Sequence, residues 1–260
     1  MREKQLHKTL HKRGNAIADL TSRIGSEFDM DTIHEFRTTL KKWRALLRAF
    51  SVSKQPLTRS FKKLVHISGD LRNSQVLLAD KTMDDERLEE FKKWLQALLA
   101  EQQNSWRRCF HPRIVKRQLR ENVRQDYKKS GKRGIDQFCR KEIHRIQGIL
   151  CVPSPSHEEL HSARKLIKDV EYVSEWAARK YPGGGYAEKL GPLKRIARQA
   201  GDFNDRRIAL DLLHVYLQEK GPSGLTAGVA AVRQAWDLAV SKKRKTLLNA
   251  LKRYVHAARP

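Results

Sequence analysis

The stretch from His34 to Phe50, HEFRTTLKKWRALLRAF, carries its apolar residues on a helical beat. With Ile33 just ahead of it, Phe36, Leu40, Trp43, Leu47 and Phe50 follow at alternating steps of three and four, one buried face of a helix. One position after each of these except the last stands a base: His34, Arg37, Lys41, Arg44 and Arg48. A step of one residue turns about 100° around the helix axis, so the basic stripe flanks the buried seam. A cation stripe opposite the core is ordinary solvated surface, whereas one beside it faces a neighbouring helix or the groove between them. Five cations along about 20 Å of axis repel one another unless an anion lies among them. Asp31 reads as the cap of this helix.

The pattern occurs twice. HSARKLIKDVEYVSEWA from His161 resembles the first stretch at an offset of 161 − 34 = 127. Downstream, KRIARQAGDFNDRRIAL from Lys194 resembles KKLVHISGDLRNSQVLL from Lys62 at 194 − 62 = 132. Two matches in the same order point to duplication of a helical unit of about half the chain, with half-repeats of about 1–133 and 134–260 in a single 260-residue domain. In the second copy Leu160, Ala163, Ile167, Val170 and Ala177 continue the seam. His161, Arg164 and Lys168 form the stripe, with Lys165 beside them. Glu171 stands where the first copy has Arg44, so the second stripe is shorter.

A second basic line precedes a Gly-Asp pair in each half: Lys62, Lys63 and His66 in one, Lys194, Arg195 and Arg198 in the other. Arg72 follows the first Gly-Asp turn and Asn204 the second, while Asn73 and Asp205 read as capping or turn-stabilising residues. His34 and His161 fall in the first turns of their helices, where free backbone N–H groups favour anions. An unperturbed imidazole is half charged near about pH 6.5 and donates to a phosphate oxygen.

Elsewhere too the periodicity is helical, with no convincing alternation of apolar and polar residues, so the fold class is all-α. Breaks fall at Gly25, Ser51 to Pro56, around Pro112, Lys129 to Gly134, Pro153 to Ser156, Pro182 to Gly185 and Gly221 to Gly224. With 54 Lys+Arg against 29 Asp+Glu, the net charge is +25, which speaks to partners rather than to fold. The 39% hydrophobic content suffices for a sizeable core. Cys109, Cys139 and Cys151 form no CxxC pair and read as reduced structural thiols. No apolar run approaches the roughly 18 residues of a spanning helix, and the amino end lacks a signal-peptide pattern. The expectation is a cytoplasmic protein without a membrane partner.

The helix-opening His followed by Arg at +3 and Lys at +7, found twice, together with SGDLRN and AGDFND, resembles the conserved histidine α-helical domain, or CHAD, family. The resemblance spans roughly Leu6 to Tyr254, although Lys81 to Gly134 matches only in helical character. It implies two pseudo-symmetric four-helix units around a basic groove or pore that binds inorganic polyphosphate, in association with polyphosphate granules. Carried onto this chain, the binding positions are His34, Arg37, Lys41, Arg44 and Lys62, with His161, Arg164, Lys168 and Lys194. Arg48, Lys63, His66, Arg72, Lys165, Arg195 and Arg198 extend the candidate surface. Asn73 and Gln75 depart from the family's turn residues, and Glu171 interrupts the second stripe. Family relatives often carry a neighbouring triphosphate-handling domain; these 260 residues leave no room for one, and a binding or targeting module is expected.

Other motifs point elsewhere. His157-Glu158-Glu159-Leu160-His161 fits the zinc pattern H-E-x-x-H, but Ser156 and Glu159 read as a capping box, which puts His157 on an exposed first turn. His66 with Asp70, and His7 with His11, lack the carboxylates that phosphate-handling metals want. No metal or cofactor is therefore expected, and no catalytic constellation. Gly183-Gly184-Gly185 lacks the ending of a nucleotide loop and reads as a connector. The run from Arg107 to Arg133, with Arg113, Lys116, Arg117, Arg120 and Arg124 at helical spacing, extends the groove or contacts nucleic-acid phosphates. Against the polyphosphate reading stand a general DNA or RNA backbone binder and a metal-dependent phosphohydrolase. The first typically exposes aromatic platforms, whereas Trp43, Trp94 and Trp236 sit mainly on apolar seams.

Overall fold

Phe28 turns the chain with φ 50, and Asp29 then caps the helix that carries the first stripe: its Oδ2 accepts from Thr32 N at 2.7 Å. The cap lies two residues before the expected Asp31, because Asp31 already has helical conformation and serves the first turn as an acid. In the computed structural model, residues 2–50, 57–123 and 131–257 are described. Among them the structure is helical without strands: α1 (Arg2–Glu27), α2 (Met30–Phe50), α3 (Arg59–Leu78), α4 (Glu89–Cys109), α5 (Pro112–Val123), α6 (Lys132–Leu150), α7 (His157–Lys180), α8 (Tyr186–Lys220) and α9 (Ala227–Ala257).

Each boundary has a local cause. The Thr58 hydroxyl accepts from Phe61 N at the start of α3, and its own N–H donates to Gln118 Oε1 of α5 at 2.6 Å. Ser156 and Glu159 complete a reciprocal capping box at α7. Gly221, at φ 62, ends α8 in a backbone region that suits glycine. The expected breaks near Pro112, Pro153, Pro182 and Gly221 are present; Ser51 to Pro56, part of the break after Lys129, and Arg124 lie outside the described residues. Gly25 does not break the chain and lies inside α1, beside Trp106 and Phe110. One break went unforeseen: two 3-10 turns, Lys81–Asp84 and Glu86–Leu88, each capped by an Asp side chain, separate α3 from α4.

Neither Gly-Asp pair makes a turn. Gly69-Asp70 lies inside α3 and Gly201-Asp202 inside α8, a helix of 35 residues that also absorbs Pro192. The buried Phe61, Leu64, Ile67, Leu71, Ser74 and Leu77 hold α3 helical through its glycine, so tertiary burial outweighs the local turn preference.

The α2 seam is buried as expected, with Ile33, Phe36 and Trp43 fully enclosed and Leu47 packed against the core. Each such side chain contributes about 1.5–3 kcal/mol. Trp43 Nε1 also donates to Leu10 O, fastening α2 to α1. Two apolar clusters result, and their border does not fall at residue 133. The first contains α1, α2 and α5 but also Ile135 and Phe138 of α6 and Val173, Trp176 and Ala177 of α7. The second contains α8 and α9 but also Leu77 of α3 and Phe91 and Leu95 of α4. The helices from both parts of the sequence are thus shared between the two clusters, and α2 packs directly on α7. No described helix is long and apolar enough to cross a membrane.

Candidate functional site

Where α2 meets α7, a pocket of about 290 Å³ opens beneath their N-terminal halves. α2 supplies His34, Arg37, Thr38 and Lys41, and α7 supplies His161 and Arg164. α3 adds Arg72, Asn73, Val76 and Leu77, and α8 adds Asn204, Asp205, Ile208 and Ala209. The offset of 132 that relates the two Gly-Asp segments relates all four α3 positions to the α8 positions, pair by pair; 127 relates His34 to His161 and Arg37 to Arg164. Matching positions of the similar sequence segments therefore line one space.

Four permanent or potential cations and two imidazoles face a lining with one carboxylate, Asp205. Arg37 is anchored from behind: Nη1 donates to Ser68 Oγ at 3.0 Å and to Val65 O at 3.3 Å. Its guanidinium passes so close to α3 that a Cβ on Gly69 would stand 3.0 Å from Nη1. Two buried donors in the lining, Arg72 Nη1 and Arg164 Nε, have no hydrogen-bond partner, an arrangement that costs about 1–3 kcal/mol each unless an acceptor arrives. Burial first, and then Arg37, Arg164 and Lys168, push the Lys41 ammonium down to about 7. Burial, helped by Arg72 and Lys41, also lowers His34; burial and Lys165 lower His161 against its hydrogen bond to Asn204. Both imidazoles are thus more neutral at a given pH than a free one.

The two histidines are held differently. His161 Nδ1 lies 3.0 Å from Asn204 Oδ1, and because that oxygen only accepts, Nδ1 carries the proton. His34 has Arg72 at the equivalent place, a donor that cannot accept. Each is the fifth residue of its helix rather than a first-turn residue, so its own backbone N–H is already committed within the helix.

The remaining candidates lie apart from this lining. Arg44 and Arg48 turn toward Asp169 of α7, with which Arg48 forms an ion pair. Lys168 gives its ammonium to the buried Glu171 at 2.9 Å and lies over the Tyr172 ring. Lys62, Lys63, Lys165, Lys194, Arg195 and Arg198 are exposed outside the pocket, as is His66, 3.5 Å from Asp70. Arg113, Lys116, Arg117 and Arg120 lie on the exposed side of α5, which packs on α1, so these four do not line the pocket. His157 is half-buried, not exposed, and stacks on Phe203 with ring centroids 5.7 Å apart. Asn73 and Asp205 line the pocket rather than cap a turn. Had the Gly-Asp segments been taken as helix interiors, the i, i+1, i+4, i+5 spacing of 72, 73, 76, 77 and of 204, 205, 208, 209 would have marked these faces.

A helical domain with a cation-lined pocket between α2, α3, α7 and α8, drawn from matching positions of similar sequence segments, is what the fold and site define. The chain belongs to the CHAD domain family, whose model matches residues 8–214. Its fold is similar to the crystal structure of the CHAD domain from the plant Ricinus communis, with a TM-score of 0.78 at 18% identity, over 99% of this chain and 92% of that one. α9 lies beyond the matched family residues yet inside this structural likeness. No curated protein matches the chain.

Proposed function

We propose that the chain is a non-catalytic module that binds inorganic polyphosphate in the α2–α7 pocket and carries its bearer to polyphosphate granules. The observation that carries this reading is the pair of buried, unpartnered guanidinium N–H groups, Arg72 Nη1 and Arg164 Nε, in a lining whose other titratable groups are Arg37, Lys41, His34, His161 and Asp205. Such donors ask for an acceptor with several charged oxygens, and guanidinium forks match phosphate oxygens well. Polyphosphate offers these in a thread without bases or sugars. A pocket of about 290 Å³ admits a thread more readily than a duplex. A metal-dependent phosphohydrolase needs several oxygen ligands for its metal, and this lining offers Asp205 alone among carboxylates.

Competition tests the reading. Long-chain polyphosphate, single-stranded DNA and duplex DNA are compared at matched charge and near-physiological salt, since low salt favours any polyanion. Polyphosphate is expected to displace either DNA; if DNA displaces polyphosphate equally well, the specific assignment fails and a general polyanion binder remains.

A further inference from the structure

A second cationic pocket, of about 610 Å³, lies between α1, α2 and the end of α7. Lys8, Lys12, Arg13, Lys42, Arg179 and Lys180 line it, with Trp176 and Thr39 in its wall. Nothing in the polyphosphate reading uses it. Thr38 and Lys41 face the first pocket while Thr39 and Lys42 face this one, so the body of α2 separates the two.

The charges here are not balanced from within. Glu175 pairs with two of the lining cations, and both its oxygens are taken: Oε2 by Lys42 Nζ at 3.0 Å, Oε1 by Arg179 Nη2 at 2.7 Å. Arg13 feels the same carboxylate, yet its Nη1 is buried without a hydrogen-bond partner. Lys8 and Lys12, one turn apart on α1, add two exposed ammonium groups at the rim. A half-buried guanidinium with an unpartnered donor and exposed ammonium groups at the rim suit a compact anion of several charges. The mirrored place in the other half is different: the 127-residue offset puts Asp169 where Lys42 stands, so the second half has an acid there.

From this geometry we infer that the α1–α2–α7 pocket is a second, separate site for a compact phosphate anion carrying three or more charges, either a short condensed phosphate or a small phosphorylated molecule. Arg13 and Lys42 are the site's more enclosed cations, and Lys8, Lys12 and Arg179 are exposed at its rim.

Inorganic tripolyphosphate is the probe, titrated calorimetrically at near-physiological salt into the full chain and two variants, Lys8→Gln/Lys12→Gln/Arg179→Gln and Arg37→Ala/Arg164→Ala. All three residues of the first set are exposed, and Arg13 is kept so that the fold is not at risk. Two binding components are expected in the wild type. The first variant should weaken one by about tenfold or more, as losing three phosphate contacts implies, and the second variant should remove the other. The Trp176 indole N–H, followed by NMR, should shift with tripolyphosphate in the wild type and in Arg37→Ala/Arg164→Ala, but not in the first variant. A single component, lost only with Arg37 and Arg164, or an unmoved Trp176 signal, overturns the inference. A single component in the wild type, unaffected by Arg37→Ala/Arg164→Ala but lost in the first variant, supports it and removes the central-pocket reading instead. Long-chain polyphosphate as a parallel titrant separates a chain end from a free small phosphate: only the latter predicts that tripolyphosphate still binds the second site when the long chain saturates the first.

Discussion

Lys41 of α2 and Lys168 of α7 occupy matching positions of two similar segments, yet of the two only Lys168 has a carboxylate partner, Glu171 at 2.9 Å. Lys41 is half-buried among Arg37, Arg164 and Lys168, with only a weaker pull from Asp205, and its ammonium is pushed down to about 7. One lysine is neutralised by its own helix. The other sheds its proton near neutrality unless an anion enters the pocket.

That difference predicts a proton-linked affinity. An anion beside Lys41 raises its pKa, so binding takes up a proton wherever the free protein has lost it, and affinity should fall as pH rises through about 7. His34 and His161, both lowered from the usual imidazole value, add a second rise in affinity toward acid pH, below the lysine limb. For His161 the reason is structural: Nδ1–H is held by Asn204, so Nε2 donates to phosphate only when the ring is protonated. Polyphosphate titrations from acid to alkaline pH should show both limbs, and Lys41→Met should remove the one near neutrality while keeping the lower. A flat wild-type profile would place the ligand away from both lysine and imidazoles.

Freeing Lys168 should trade stability for affinity. Glu171 is 7% exposed and holds Lys168 beside the Arg37, Lys41 and Arg164 group. Glu171→Gln leaves that ammonium uncompensated, and breaking such a partly buried pair costs roughly 1–3 kcal/mol of folding stability. Polyphosphate then gains a cation it did not have, so affinity should rise several-fold while the melting temperature of the free protein drops. Lower affinity in the variant would mean that Lys168 never approaches the ligand.

The central pocket and the outer basic line can be told apart by salt. Arg37→Ala/Arg164→Ala removes contacts inside the pocket and should weaken polyphosphate by at least about tenfold at all salt concentrations, with helicity intact. Replacing the exposed Lys62, Lys63, Lys194 and Arg195 by Gln should mainly flatten the dependence of affinity on salt, as expected of screened surface charge. The reverse ranking would move the site to the outer line.

Much of the α2 seam was legible because a helix buried on one side writes its burial into steps of three and four, as Ile33, Phe36, Leu40 and Trp43 do. Which stripe residues would converge was not legible. It depends on how α2 crosses α7 and on where the carboxylates of α7 fall. Lys42 pairs with Glu175 and Arg48 with Asp169, and the offset of 127 relates Lys42 to Asp169 and Arg48 to Glu175. The two ion pairs therefore occupy equivalent places with their signs exchanged, which withdraws Arg48 from the anion pocket and leaves Lys42 facing the side pocket. Asn204 and Arg72 were visible as residues, but their contacts with the histidines follow from α8 and α3 running helically through Gly-Asp.

The two glycines make a matched test of that last point. Both lie inside helices, where Ala is favoured over Gly by about 1 kcal/mol. A Cβ at Gly201 meets nothing within 4 Å, whereas at Gly69 it stands 3.0 Å from Arg37 Nη1. Gly201→Ala should therefore raise the melting temperature and leave polyphosphate affinity unchanged. Gly69→Ala gains the same helical preference but drives the Arg37 guanidinium back from Ser68 Oγ and Val65 O, the contacts that aim it. It should stabilise less than Gly201→Ala, or destabilise, and weaken polyphosphate several-fold. Equal thermal gains with equal affinities in the two variants would show that α3 does not position Arg37, and the case for Gly69 as the residue that lets α2 and α3 close around the anion would fall.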